Sequence, residues 1–169
     1  MRFFLTGFMG CGKSFWAKKL SIATGILSFD LDEWIESEEQ CSIANLFAEK
    51  GETNFRQIEK EYLHSLTIQN SNMLLACGGG TPCFADNLEW MKKIGTVFYL
   101  QVPFSILENR LLLEKETRPL LKTISPDNFK QELKTLFVSR EAIYKQATEI
   151  IDMECMDEIT FANKIKSYV

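Results

Sequence analysis

Residues 7–14 read Gly7-Phe8-Met9-Gly10-Cys11-Gly12-Lys13-Ser14, and they fill every fixed position of the phosphate-loop pattern G-x-x-x-x-G-K-[ST]. Glycines let the backbone wrap closely around a phosphate group, so that several N–H groups point toward it. A helix that follows such a loop adds the positive end of its dipole. In this pattern the lysine supplies a cation and the serine a hydroxyl for Mg²⁺. The stretch therefore predicts a phosphate-binding site.

The flanking residues support this prediction. Residues 2–6 are rich in aromatic and branched side chains, as in a buried strand, and residues 14–24 carry apolar side chains at helical spacing before Gly25. Strand, loop and helix thus follow in the required order. A glycine-rich turn that contains Gly-Lys-Ser by chance is the alternative. It is disfavoured because the motif and its flanks are independent requirements.

Length and composition limit the possible functions. A chain of 169 residues with 46% hydrophobic residues suits one folded domain, 1–169, with a substantial core. Its net charge of −4 argues against broad binding to nucleic acid or to anionic membranes. Any anion site must therefore be local.

The location that we expect is the cytoplasm. No apolar run approaches the roughly 20 residues of a membrane span, and a strand predicted from residue 2 leaves no room for a signal peptide. The five cysteines form an odd set without a Cys-x-x-Cys pair, which indicates reduced and mostly structural thiols. They are Cys11, Cys41, Cys77, Cys83 and Cys155.

Further predicted strands at 26–29, 73–77, 96–102 and 149–152 alternate with helices, which predicts an α/β fold. Asp30-Leu31-Asp32 follows the second of the five strands. If the strand continues, the two carboxylates project to one face at the carboxyl edge of the sheet, where α/β enzymes bind ligands. The alternative is an N-cap and an acidic first turn for the next helix.

Two positions on the predicted helix 52–69 are chemically distinctive. Arg56 lies among apolar residues and either recognises an anion or is a solvated helix arginine. His64 is the single histidine and has no partner at metal-ligand spacing, so we interpret it as structural.

Gly78, Gly79 and Gly80 end the unbroken apolar run 73–77. They either let a ligand lie against bare backbone or form a flexible turn. The charged stretch about 112–126 is typical of a mobile lid. It contains Arg118, and Arg140 lies on a later predicted helix; both are candidates to reach bound phosphates or substrate.

Taken together, these motifs resemble shikimate kinase, a member of the P-loop nucleoside-monophosphate-kinase-like group. The resemblance covers nearly the whole chain and rests on an ordered set: the phosphate loop, Asp30-x-Asp32, Phe55-Arg56, the three glycines, Arg118-Pro119-Leu120-Leu121, and Arg140 four residues before Tyr144. It implies a three-layer sandwich with a central five-stranded parallel sheet, a mobile lid and a substrate-binding helical region at about 31–62.

The resemblance also implies roles for individual residues and ATP-dependent phosphorylation of shikimate at its 3-hydroxyl by a monomer. Lys13, Asp32 and Arg118 would be catalytic, and Ser14 and Asp30 would hold Mg²⁺. ATP would be bound by Gly10, Cys11, Gly12, Lys13, Ser14, Phe15 and Arg118. Shikimate would be bound by Asp32, Arg56, Gly78, Gly79, Gly80 and Arg140.

Three positions depart from the family pattern. Phe15 replaces a small hydroxyl residue, Ala142 replaces a proline near Arg140, and one extra residue separates Arg110 from Arg118, which leaves Arg110 a weak candidate for stacking on adenine. Two other functions stay open at this point. One is another P-loop small-molecule kinase, for gluconate or a nucleotide, and the other is an inactive nucleotide-binding module.

Overall fold

The computed structural model describes residues 1–114, 121 and 128–169. Within these residues, five parallel strands form one sheet in the order β2-β3-β1-β4-β5. The strands are β1 Arg2–Thr6, β2 Ser28–Asp30, β3 Met73–Ala76, β4 Thr96–Gln101 and β5 Glu149–Asp152. The predicted α/β fold with a five-stranded parallel sheet is confirmed.

Helices cover both faces of this sheet. They are α1 Lys13–Thr24, α2 Leu31–Glu39, α3 Ile43–Gln69, α4 Asn87–Ile94, α5 Phe104–Leu113, α6 Phe129–Tyr144 and α7 Glu158–Lys166, with a short 3₁₀ turn at Thr81–Cys83. None of the helices in the described ranges combines the length and the apolar character needed to cross a membrane.

Because successive side chains of a strand point to opposite faces of the sheet, the core consists of two layers, one on each face. Phe3 and Leu5 of β1 pack in the layer that contains α1 and α7, whereas Phe4 packs in the layer that contains α2, α3 and α4. Strands β1, β3 and β4 are covered on both faces and are therefore almost continuously apolar. The edge strands β2 and β5 are only partly buried.

One element boundary differs from the sequence prediction. Helix α2 begins at Leu31, immediately after Asp30, so strand alternation does not continue to Asp32. Helix α3 is kinked at Gly51, and the predicted helix 52–69 forms the part of α3 that follows this kink. Helix α4 starts at Asn87, after the 3₁₀ turn of residues 81–83. Most of the predicted lid, including Arg118, lies outside the described residues.

His64 packs within the helical layer. Its ring stacks on Trp90 with ring centroids 4.2 Å apart and planes 10° apart. Its Nε2 atom is buried and has no hydrogen-bond partner among the described residues. Burial lowers the pKa of the His64 imidazole. These surroundings fit a structural role.

Helix α3 breaks at Gly51, where φ is 75° and ψ is 168°. Residues other than glycine rarely adopt this region, and occupying it costs on the order of 1–3 kcal/mol. Gly25, at the end of α1, has the same φ of 75° but a ψ of 5°, in the left-handed helical region. A Cβ atom would meet nothing within 4 Å at either glycine. Substitutions at these two glycines therefore measure the cost of backbone strain without a contribution from steric contact.

We expect Gly51→Ala to lower the free energy of unfolding more than Gly25→Ala does. The left-handed helical region costs an alanine about 1–2 kcal/mol, and the Gly51 region costs more because it is essentially restricted to glycine. Urea unfolding of the two variants and of the unsubstituted protein measures the difference. A larger loss for Gly25→Ala would contradict this account of the break in α3.

Candidate active site

The functional side chains converge at the carboxyl ends of the parallel strands. The phosphate loop follows β1, Asp30 ends β2, and the three glycines follow β3. Because neighbouring parallel strands end at the same edge, these segments are adjacent. Helices α3 and α6 add Arg56 and Arg140 to the same edge.

A phosphate-side cavity is lined by Gly10, Gly12, Lys13, Ser14 and Phe15, together with Asp30, Asp32 and Glu114. Five of the six predicted loop residues thus share one cavity. The side chain of the sixth, Cys11, is buried behind the loop with 3% exposure. The loop offers this cavity backbone N–H groups and one ammonium group.

Lys13 is held within the loop. Its Nζ donates to the carbonyl oxygens of Gly7 at 2.9 Å and of Phe8 at 3.1 Å, and lies 3.6 Å from Sγ of Cys11. These contacts keep the positive charge of Lys13 beside the phosphate-side cavity, where it can interact with a bound anion.

Asp30 has two roles in the structure. Its Oδ1 accepts from the backbone N–H groups of Asp32 at 3.0 Å and Glu33 at 3.3 Å, so it is the N-cap of α2. Its Oδ2 accepts a hydrogen bond from the hydroxyl of Ser14. The N-cap alternative derived from the sequence is therefore confirmed, and the same carboxylate also contacts the loop serine.

The pair of Ser14 and Asp30 fits the requirements of Mg²⁺. This ion prefers oxygen ligands, keeps several waters, and binds through one or two carboxylates plus substrate phosphates. A hydroxyl and a carboxylate in contact beside a phosphate cavity supply that donor set. Within the described ranges no group of three or more His, Cys, Asp or Glu residues could hold a metal ion, and this kind of site requires none.

A second cavity, which we call the acid cavity, is lined by all six residues predicted to bind the substrate. The apolar side chains of Met9, Ile43, Phe47 and Phe55 and the carboxylate of Glu59 complete its wall. The residues Arg56 and Arg140 are only 7% and 8% exposed. Two buried guanidinium groups in one small cavity strongly favour an anionic ligand.

Arg56 is fixed by several contacts at once. Its Nη1 lies 2.6 Å from Oε2 of Glu59, which is fully buried. Its guanidinium carbon lies 5.6 Å and 5.2 Å from the ring centroids of Phe47 and Phe55. A Cβ atom on Gly80 would lie 2.3 Å from this carbon, so only glycine permits the approach. The structure thus excludes the interpretation of Arg56 as a solvated arginine.

Arg140 differs from Arg56 in having a buried hydrogen-bond donor, its Nη1 atom, without a partner among the described residues. Helix α6 continues through Ala142, so this departure from the family pattern does not keep Arg140 out of the acid cavity. An unpaired buried guanidinium nitrogen is costly, and an anionic ligand would satisfy it.

Asp32 lines both cavities, which also share Met9, Gly78 and Gly79. Burial raises the pKa of Asp32 to about 7, and the negative charges of Glu59 and Asp30 act in the same direction. Lys13 and Arg56 oppose this shift. The side chain reaches the site from the first turn of α2, so the geometry that we predicted, strand alternation, is wrong although the location is right.

Sequence reasoning missed Glu59 and Thr81. The hydroxyl of Thr81, itself fully buried, donates to Oε1 of Glu59. One signal was available: Glu59 stands three residues after Arg56 on a helix whose neighbouring positions are apolar, and this spacing brings the two side chains together. No sequence pattern marks Thr81. The structure therefore extends the predicted site by a buried acid and its hydroxyl donor.

The chain is similar to known proteins over nearly its whole length. The family model for shikimate kinase matches residues 9–168. A shikimate kinase of Parabacteroides distasonis is 39% identical over 155 residues, which cover 92% of this chain and 89% of the relative.

Two solved structures have the same fold over the whole chain. The crystal structure of shikimate kinase from Bacteroides thetaiotaomicron has a TM-score of 0.86 and 31% identity, covering 99% of this chain and 97% of that one. Shikimate kinase from Acinetobacter baumannii, solved in complex with shikimate, has the same score and identity, covering 99% and 91%. The chain belongs to the shikimate kinase family.

Proposed function

We propose that this chain transfers the γ-phosphoryl group of ATP to the 3-hydroxyl of shikimate, forming shikimate 3-phosphate on the route to chorismate and the aromatic amino acids. One observation supports this most directly: the phosphate-side cavity and the acid cavity meet at Asp32. A phosphoryl donor in the first and a hydroxylated acid in the second would have their reacting atoms at that junction.

The acid cavity suits shikimate, which is a carboxylate with ring hydroxyls. Its carboxylate would take the unpaired Nη1 of Arg140 and the guanidinium of Arg56. The ring would lie over Gly78, Gly79 and Gly80 and against the apolar wall. The Acinetobacter baumannii relative has been solved in complex with shikimate, which supports this assignment.

Phosphoryl transfer depends on alignment and charge stabilisation more than on covalent catalysis. Lys13 would stabilise the charge that develops on the transferred group. Mg²⁺ held by Ser14 and Asp30 would supply further neutralisation when bound. Asp32 would accept the proton of the 3-hydroxyl, because a pKa near 7 lets it exist as a base and still take up a proton.

Three parts of the proposal rest on the sequence and its family resemblance. Arg118 would contact ATP phosphates when the lid closes, but it lies outside the described residues. A monomer and a cytoplasmic location are likewise what we expect for this chain.

Purified protein with Mg²⁺ and ATP should form ADP when shikimate is added. Gluconate and nucleoside monophosphates as acceptors test the other P-loop kinases, and ATP without an acceptor gives the background. ADP formation is measured with a coupled assay. Turnover with another acceptor only, or ATP binding without any turnover, would contradict the proposal and favour one of the two alternatives.

Arg140→Met should raise the KM for shikimate by about 10- to 100-fold and leave the KM for ATP nearly unchanged. This range corresponds to losing a hydrogen bond between charged groups, about 1.5–3 kcal/mol. Arg140 is the cleaner test than Arg56, because removing Arg56 leaves Glu59 buried without its partner and costs about 3–5 kcal/mol of stability. An equal rise in both KM values would contradict the assignment.

The pH dependence of kcat/KM for shikimate should rise through about 7, as Asp32 loses its proton in the free enzyme. Glu59→Gln should move this rise to lower pH, because it removes a negative charge that disfavours ionisation of Asp32 and releases Arg56, which favours it. As the control, Asp32→Asn should nearly abolish turnover while ADP still binds. A rise that stays in place or moves to higher pH in Glu59→Gln would contradict this role of Glu59.

A further inference from the structure

A third cavity, of about 430 Å³, adjoins the phosphate loop. Gly12 and Phe15 line both this cavity and the phosphate-side cavity, so the two are adjacent. The remaining wall is mostly apolar, with Arg110 and Glu154 as its charged residues; its other members are Cys11, Trp16, Val102, Ile106 and Met153. We call this space the aromatic cavity.

Phe15 stands at the junction of the two cavities and is 57% exposed. Its ring packs edge-on against Trp16, with centroids 6.0 Å apart and planes at 87°. Trp16 in turn packs on Phe161 of α7 at 5.8 Å, and Nζ of Lys19 lies 5.1 Å from the Phe15 ring centroid. The ring is therefore supported from within the protein while much of its surface stays open.

Arg110 is also held in place at this cavity. Its Nη1 donates to the carbonyl oxygen of Gly10 in the phosphate loop at 2.9 Å. This contact anchors one nitrogen of the guanidinium at the loop, in a cavity that Phe15 and Trp16 also line. Flat cationic and aromatic groups both pack well on the face of a nucleobase.

We propose that Phe15 contacts the base and ribose of ATP and sets a large part of the affinity for the nucleotide. This inference rests on the proposed function, which places the phosphates of ATP in the loop. From there the rest of the nucleotide must extend into a neighbouring space. The acid cavity adjoins the phosphate-side cavity at Asp32, but it holds two guanidinium groups and suits the phosphoryl acceptor. The aromatic cavity adjoins the phosphate-side cavity at Phe15 and suits the planar ring of a nucleobase.

This assignment gives the Phe15 departure from the family pattern a function. A small hydroxyl residue at this position offers no stacking surface, whereas a phenylalanine adds an aromatic contact next to the loop. Stacking tolerates different bases because every base has a π face. The ring should therefore strengthen binding of adenine and guanine nucleotides alike.

Calorimetric titration of Phe15→Thr with Mg²⁺ and ADP, GDP or inorganic tripolyphosphate tests the inference. We expect ADP and GDP to bind about 10-fold more weakly, as when one stacking aromatic side chain is lost. Tripolyphosphate has no base and should bind within about twofold of its affinity for the unsubstituted protein. Phe15→Tyr, which keeps an aromatic ring, should retain the affinity for ADP.

Ile22→Thr is the matched control, because Ile22 is an 87% exposed apolar residue on the same helix. It should bind all three ligands normally. Unchanged ADP affinity in Phe15→Thr would overturn the inference, and so would an equal loss for tripolyphosphate, which would show that Phe15 only shapes the loop. Failure of the unsubstituted protein to bind ADP would instead overturn the proposed function itself.

Discussion

The arrangement of the site depends on one buried ion pair, between Arg56 and Glu59. Taking two charges out of water costs several kcal/mol per ion, and only close contact with further hydrogen bonds offsets that cost. Here the pair distance is 2.6 Å, the hydroxyl of Thr81 adds a donor to Glu59, and Phe47 and Phe55 lie near the guanidinium. The pair holds one wall of the acid cavity in a fixed position.

The charges of Arg56 and Glu59 also act on Asp32, which lines the same cavity. Burial is the largest cause of the raised pKa of Asp32, the charge of Glu59 adds to it, and Arg56 opposes it. The charge of Glu59 therefore both pairs with Arg56 and contributes to the basicity of Asp32. Arg140 adds a further positive group, whose buried Nη1 has no hydrogen-bond partner among the described residues.

The phosphate loop satisfies its own charges in a comparable way. Lys13 donates to loop carbonyl groups, and Ser14 pairs with Asp30. These contacts hold the groups in fixed positions beside the phosphate-side cavity, so the triphosphate and metal ion of the proposed function would bind with little rearrangement. Such preorganisation is the main contribution that a protein makes to phosphoryl transfer.

Sequence patterns were reliable where local rules apply. The loop motif, the glycines after β3 and the N-cap at Asp30 could be predicted because each depends on residues close in the chain. The placement of Asp32 shows the limit of such rules. Strand alternation predicted its location for the wrong reason, because β2 ends at Asp30, which caps α2, and Asp32 lies in the first turn of that helix.

By itself, the sequence determined the α/β class, the phosphate loop and the set of residues that resembles shikimate kinase. Periodicity and motif spacing are properties of the chain that need no distant contact. Only the tertiary structure showed that Glu59 is buried against Arg56, that Nη1 of Arg140 is buried without a hydrogen-bond partner among the described residues, and that Phe15 lines two cavities. These facts depend on burial, and burial is created by segments that are far apart in the chain and meet only after folding.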